Sequence, residues 1–195
     1  MQLRPHQEKA IKAMSKHNKG QVIVPTGGGK TICMIEDAIE QFKSDRLKTI
    51  VVVAPRILLA NQLCEEFLEF IDDVDVLHVH SGETHHESTT KSKVIEEWAW
   101  ASKKHQLIFT TYHSLHKIQD ATAMLPDTVY FDEAHNAVQK NFIEAVEHHS
   151  MYVVRNFFFT ATPKHSYTPF KVGMNDTDIF GSVICNVGAP KLVKQ

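Results

Sequence analysis

The stretch Val24-Pro25-Thr26-Gly27-Gly28-Gly29-Lys30-Thr31 constrains this chain more than any other. It follows an apolar run, Gln21-Val22-Ile23-Val24, and opens into a helical pattern near Lys30. Successive glycines let backbone N–H groups turn inward to cradle phosphate oxygens, and the N-terminus of the next helix adds partial positive charge. The turn reads as a site for the phosphates of a nucleotide. Lys30 would reach the β- and γ-phosphates and the Thr31 hydroxyl would ligate Mg²⁺, the division of labour in the G-x-x-x-x-G-K-[ST] pattern. Val24 stands where that pattern has its first glycine, so the match runs from Gly29 onward. A glycine-rich hairpin would account for the glycines, but not for Lys30-Thr31 at the mouth of a helix.

At 195 residues the chain suits one large α/β domain with a substantial core. A formal net charge of −2 supplies no overall positive field, so a nucleic-acid partner must be held by local basic groups and backbone amides. The three cysteines, Cys33, Cys64 and Cys185, are widely spaced in apolar surroundings and imply reduced thiols of an intracellular protein. No signal peptide and no run long enough to cross a bilayer is present, so a soluble, cytoplasmic protein without a membrane partner is expected.

Taken in order, the pattern predicts a helix from Pro5 to His17, a strand Gln21 to Val24, and a helix from Lys30 to Phe42. Thr49 to Val53 is a continuous β-branched run, the mark of a parallel strand covered on both faces. A helix Ile57 to Ile71, a strand Val74 to Val79, a polar loop Ser81 to Thr90 and a helix Lys93 to Lys104 follow. Strands at Leu107 to Thr111, Val129 to Phe131 and Asn156 to Phe159 alternate with a short helix from Ser114 and one near Asn141 to His149. This alternation predicts an α/β fold, a mostly parallel sheet with helices on both faces and ligands at the C-terminal strand ends.

Asp132-Glu133-Ala134-His135 falls at such an end, directly after Val129-Tyr130-Phe131. Adjacent carboxylates point in different directions and can divide their work. Asp132 would hold Mg²⁺ and Glu133 would orient and deprotonate the water that attacks the γ-phosphate.

Arg4-Pro5-His6-Gln7, Pro25 to Thr31, Ala54-Pro55-Arg56, Thr110-Thr111-Tyr112, Asp132 to His135 and Thr160-Ala161-Thr162-Pro163 occur in the order found in superfamily 2 helicases. From Leu3 to about Gly181 the chain resembles their first RecA-like, P-loop domain, DEAH box included. The likeness is strongest to the branch holding type I and III restriction motor subunits and phage or repair translocases. The resemblance implies ATP as the nucleotide, with Arg4 and Gln7 beside Pro25, Thr26, Gly27, Gly28, Gly29, Lys30 and Thr31, and Gln7 on the adenine edge. His6 replaces the family's usual tyrosine. Thr160, Ala161 and Thr162 match the segment that couples hydrolysis to movement, and His135 matches the histidine that joins the acidic motif to it. Pro55, Arg56, Ser81, Gly82, Thr111 and Tyr112 match segments that hold a nucleic-acid backbone, contacts that position without reading sequence.

The implied activity is ATP-driven movement on DNA, preferred over RNA through the restriction and phage likeness. An RNA helicase domain and a non-catalytic ATP-sensing scaffold are the alternatives. The family's motor needs a second RecA-like domain, in cis or in trans, to supply an arginine finger. Residues 182–195 read as a linker toward it. None of Arg4, Arg46, Arg56 and Arg155 lies in a finger-like pattern, so the domain alone should bind ATP·Mg²⁺ and turn over slowly. His78-x-His80 and His85-His86 could bind zinc, but without a cysteine pair nearby in sequence they are read as ordinary histidines.

Overall fold

The computed structural model describes residues 2–26 and 28–187; Gly27 of the phosphate turn and the linker residues 188–195 lie outside the described residues. The strands are β1 (Lys19–Ile23), β2 (Thr49–Ala54), β3 (Val74–Val79), β4 (Glu87–Ser88), β5 (His105–Thr111), β6 (Thr128–Phe131), β7 (Arg155–Thr160) and β8 (Val183–Asn186). Between them run α1 (Pro5–Lys16), α2 (Lys30–Gln41), α3 (Ile57–Phe70), α4 (Ser92–Ala101), α5 (Leu115–Asp120), α6 (Ile143–Tyr152) and α7 (Thr177–Phe180). The eight strands form one parallel sheet in the order β4-β3-β5-β2-β6-β7-β1-β8.

Side chains alternate between the faces of this sheet, and both faces are dry. Val52, Phe157 and Phe159 meet Ala10 and Met14 of α1, Met34 of α2 and Leu63 and Phe67 of α3 on one side. Val51, Val53 and Phe158 meet Ile95 of α4, Ile118 of α5, Val146 of α6 and Phe180 of α7 on the other. Burial on both faces is why the strands read as unbroken apolar runs. Phe157-Phe158-Phe159 is therefore core, with each ring 0% exposed.

Two expectations change. Residues 183–186, assigned to a linker, pair parallel with β1 and extend the sheet beyond residue 181. Gln21 anchors this edge: its Nε2 donates to the carbonyls of Met174 at 2.7 Å and Gly181 at 2.9 Å. The polar loop Ser81 to Thr90 also contains the short strand β4, paired with Leu77 and His78 of β3. Trp98 packs against the core, whereas Trp100 is 91% exposed.

Candidate nucleotide and nucleic-acid site

Parallel strands place every strand's C-terminal end on one edge, and the central order β2-β6-β7-β1 brings the predicted motifs together there. Phe131 of β6 is in register with Val53 of β2 and Phe158 of β7, and Ile23 of β1 with Thr160 of β7. Val24 N–H then donates to the Thr160 carbonyl at 3.0 Å, which ties the entrance of the glycine-rich turn to the start of Thr160-Ala161-Thr162.

α2 begins at Lys30, directly after Gly29 in the left-handed region at φ 74°. A Cβ at Gly29 would lie 2.3 Å from Gln7 Nε2 and 2.9 Å from Arg4 Nη2, so only glycine lets these side chains rest on the turn. Gln7 Nε2 donates to the Gly29 carbonyl at 3.2 Å, while its Oε1 accepts the Arg4 N–H at 2.9 Å. His6, the departure from the family's tyrosine, is 4% exposed, and its Nε2 donates to the Gly28 carbonyl at 2.7 Å. The first turn of α1 thus clamps the phosphate turn from outside, a role for His6 that its sequence position alone does not reveal.

Across the edge, Lys30 Nζ lies 3.1 Å from Asp132 Oδ1 and donates to Glu133 Oε1. Burial draws the Lys30 ammonium down in pKa, but the two carboxylates outweigh it and hold the amine above its ordinary value. For Asp132, burial prevails over the pull of Lys30 and lifts the carboxyl above the usual carboxylate range. Its Oδ1 is buried, with Lys30 as a charge partner but no hydrogen-bond donor. An under-satisfied carboxylate oxygen beside a phosphate turn suits a hard divalent cation. Thr31, the other expected Mg²⁺ ligand, lies beside Glu66 of α3, an acidic neighbour absent from the sequence motifs.

Glu133 sits in the left-handed region at φ 48° and ψ 54° and caps the 3-10 turn Ala134–Val138. Such a conformation stores strain in a non-glycine residue and persists where its surroundings fix it. Here Asn136 fixes it, with both its backbone N–H (3.0 Å) and its Nδ2 (2.9 Å) donating to the Glu133 carbonyl. The turn points His135 at β7: Nδ1 lies 2.9 Å from Thr160 Oγ1 and 3.7 Å from Glu133 Oε2. Thr160 Oγ1 also accepts the Thr162 N–H at 3.1 Å.

The residues matched to nucleic-acid contacts share this edge at the ends of β2, β3 and β5, but their exposure differs. Arg56 and Ser81 are exposed, and Pro55 and Gly82 are half-buried. A Cβ at Gly82 would meet Ile57 at 2.4 Å, so the loop after β3 packs directly on the start of α3. Thr111 and Tyr112 are only 4% and 2% exposed. Tyr112 stacks on Phe131 and Phe142, and its hydroxyl donates to the Asp132 carbonyl at 2.8 Å. Its side chain supports the acidic pair instead of forming surface.

Arg155 and Arg46 are committed elsewhere. Arg155 makes a bidentate ion pair with buried Asp37, 2.8 and 2.9 Å, and Arg46 pairs with Asp127 at 2.6 Å. Cys33, Cys64 and Cys185 are buried and joined in no disulfide. Among the described residues no helix is long and apolar enough to cross a membrane.

This fold recurs in a solved restriction-modification enzyme and in solved helicases. The chain is similar over its whole length to a nuclease-deletion mutant of the Type ISP restriction-modification enzyme LlaGI in complex with a DNA substrate mimic, at TM-score 0.83 and 21% identity. It is similar over 98% of its length to the Pyrococcus furiosus Hef helicase domain, at TM-score 0.69 and 20% identity, and over 94% to the UvsW helicase from bacteriophage T4, at 0.66 and 14%. It spans 20% of the LlaGI chain, 39% of the Hef chain and 60% of the UvsW chain. No curated protein sequence matches it. Fold and motif order define the N-terminal RecA-like domain of a superfamily 2 helicase. Residues 1–165 match the family model ResIII, the type III restriction enzyme res subunit, and the chain belongs to that family.

Proposed function

We propose that this chain binds ATP·Mg²⁺ and hydrolyses it to drive movement along DNA, as the first motor domain of a restriction-type translocase. The observation that carries this reading is the convergence of Lys30, Asp132 and Glu133 from α2 and β6 onto one point at the sheet edge. In the free chain Lys30 is held by the two carboxylates. With nucleotide present it would turn to the β- and γ-phosphates, leaving Asp132 and Thr31 to hold the metal ion. Mg²⁺, when bound, neutralises charge on the transferred phosphoryl group. Glu133, released from Lys30, accepts the proton of the attacking water and orients it in line. Gln7 reads the adenine, and Arg4, Pro25, Thr26 and residues 27–29 surround the phosphates.

Movement follows if the phosphate site is heard at β7, and His135 supplies the route to Thr160-Ala161-Thr162. Arg56 and Ser81, with the backbone at Pro55, Gly82 and Thr111, would hold the strand's phosphates. The DNA preference draws on LlaGI, solved with a DNA substrate mimic. A second RecA-like domain, in cis or in trans, supplies the arginine finger, since Arg155 and Arg46 are already paired.

ATP binding and hydrolysis by the chain, alone and with duplex DNA, single-stranded DNA or RNA, test this reading, with Lys30→Ala as control. We expect ATP binding that Lys30→Ala removes, slow hydrolysis, and nucleotide-dependent affinity for DNA above RNA. Absence of ATP binding overturns the reading. Equal or stronger coupling to RNA replaces DNA as the partner. ATP binding with no response in nucleic-acid affinity favours a scaffold.

A further inference from the structure

Away from the phosphate site, at the α3 side of the outer sheet, three potential ligand atoms converge that sequence spacing keeps apart. Cys64 Sγ, one ring nitrogen of His78 and one of His86 lie within 4.8 Å of one another. The period-2 alternation of β3 turns His78 onto the face that α3 covers, where Cys64 points inward. His86 arrives from the segment that leads into β4, whose Ser88 pairs with His78. The His78 and His86 rings stack at 5.6 Å with 8° between their planes.

We propose that Cys64, His78 and His86 bind a zinc-class transition-metal ion. Thiolate and imidazole are the ligands such ions select, and a set of three leaves a fourth position open. Zinc bonds of about 2.0–2.3 Å set tetrahedral ligand atoms roughly 3.5 Å apart. The cluster must therefore contract by about an ångström, a movement available to exposed His86.

Unmet polar groups point to the same place. His78 is 0% exposed, its Nδ1 is taken by His80 Nε2 at 3.0 Å, and its Nε2 has no partner. Asn61 Oδ1 is also buried without a partner, and both residues line a cleft of about 720 Å³ with Cys64 and His86. An ion on His78 Nε2 would satisfy the first. Its open position, holding water, would offer a donor to the second.

His80, behind His78, ties this site to the loop after β3. Gly82 N–H donates to His80 Nδ1 at 3.1 Å, so His80 carries its proton on Nε2 and gives it to His78 Nδ1. The His78 proton is then on Nε2, where the ion must bind. On binding, that proton shifts to Nδ1 and donates to His80 Nε2. The His80 proton shifts to its Nδ1, and Gly82 N–H loses its acceptor. The Cys64 thiol proton leaves to solvent as the thiolate forms. Metal occupancy thereby removes the hydrogen bond between Gly82 N–H and His80.

Titration of the nucleotide-free chain with Co²⁺, followed by Zn²⁺, tests the site without recourse to ATP chemistry. Expected are a thiolate-to-cobalt charge-transfer band and intense tetrahedral d–d bands at one equivalent, both erased by Zn²⁺. An all-oxygen site gives neither, so cobalt at Asp132 is distinguished. His86→Ala should weaken binding by about tenfold or more. Cys64→Ser should remove the charge-transfer band; should it fail to fold, exposed His86→Ala decides. A weak octahedral spectrum, or unchanged affinity in His86→Ala, overturns the site. A Gly82 amide resonance unmoved by Zn²⁺ overturns the link to the loop.

Discussion

His135 Nδ1 and Thr160 Oγ1 share a hydrogen bond of 2.9 Å, which joins the acidic Asp132-Glu133-Ala134-His135 stretch to the last residue of β7. Burial lowers the His135 pKa, with Glu133 opposing and Lys164 and Lys30 adding to it. The link therefore joins a neutral imidazole to a hydroxyl that also accepts the Thr162 N–H. Thr160→Val keeps the β-branched shape and removes this hydroxyl. We expect ATP affinity to be retained while the effect of ATP on DNA affinity falls roughly tenfold. Parallel nucleotide and DNA titrations measure both.

Gly29→Ala should fail locally. The residue's φ of 74° costs an L side chain about 1–2 kcal/mol, and the new Cβ displaces Gln7 from its bond to the turn. Urea unfolding should show the stability loss, and ATP binding should weaken by more than that loss explains.

Tyr112→Phe separates support of the acidic pair from contact with nucleic acid. Loss of the bond to the Asp132 carbonyl should cost about 1 kcal/mol and slow hydrolysis. DNA affinity without nucleotide should stay unchanged, because the ring is 2% exposed.

Asp37→Ala leaves the Arg155 guanidinium buried and unpaired, and should cost about 3–5 kcal/mol in denaturant unfolding. Removal of both charges, Asp37→Leu with Arg155→Met, should recover much of that loss.

Stability should fall as pH drops from about 6.5 toward 4. Burial lowers the His149 pKa to about 4, so the folded chain keeps this imidazole neutral where the unfolded chain takes up a proton. Proton uptake favours the unfolded state throughout that window, and full stability returns above it. The contribution reaches on the order of 3 kcal/mol at the acid end. His149→Gln should flatten the dependence of the urea midpoint on pH.

Much of the site is local in character and so legible in sequence. The phosphate turn requires its glycines, the helix start at Lys30 and the strand before it within one short stretch, and the acidic pair follows its strand directly. Unbroken apolar runs such as Val51-Val52-Val53 announce a sheet covered on both faces, because each alternate side chain must find a core. The role of His6 is not legible in the sequence, since its partner is a backbone carbonyl in the turn, which no residue type reveals. β8 is not legible in the sequence, because a short strand at the sheet edge has little periodicity of its own.

The alternation of strands and helices, the glycine-rich turn and the carboxylates at a strand end are written in the order of the residues, since each depends on neighbours along the chain. That Tyr112 turns inward, that Arg155 is consumed by Asp37, and that Cys64 meets His78 and His86 emerges from the packing of the folded chain. Those outcomes depend on which strands lie side by side and which helix covers them, and period-2 and period-3.6 patterns state a buried face without naming its partner.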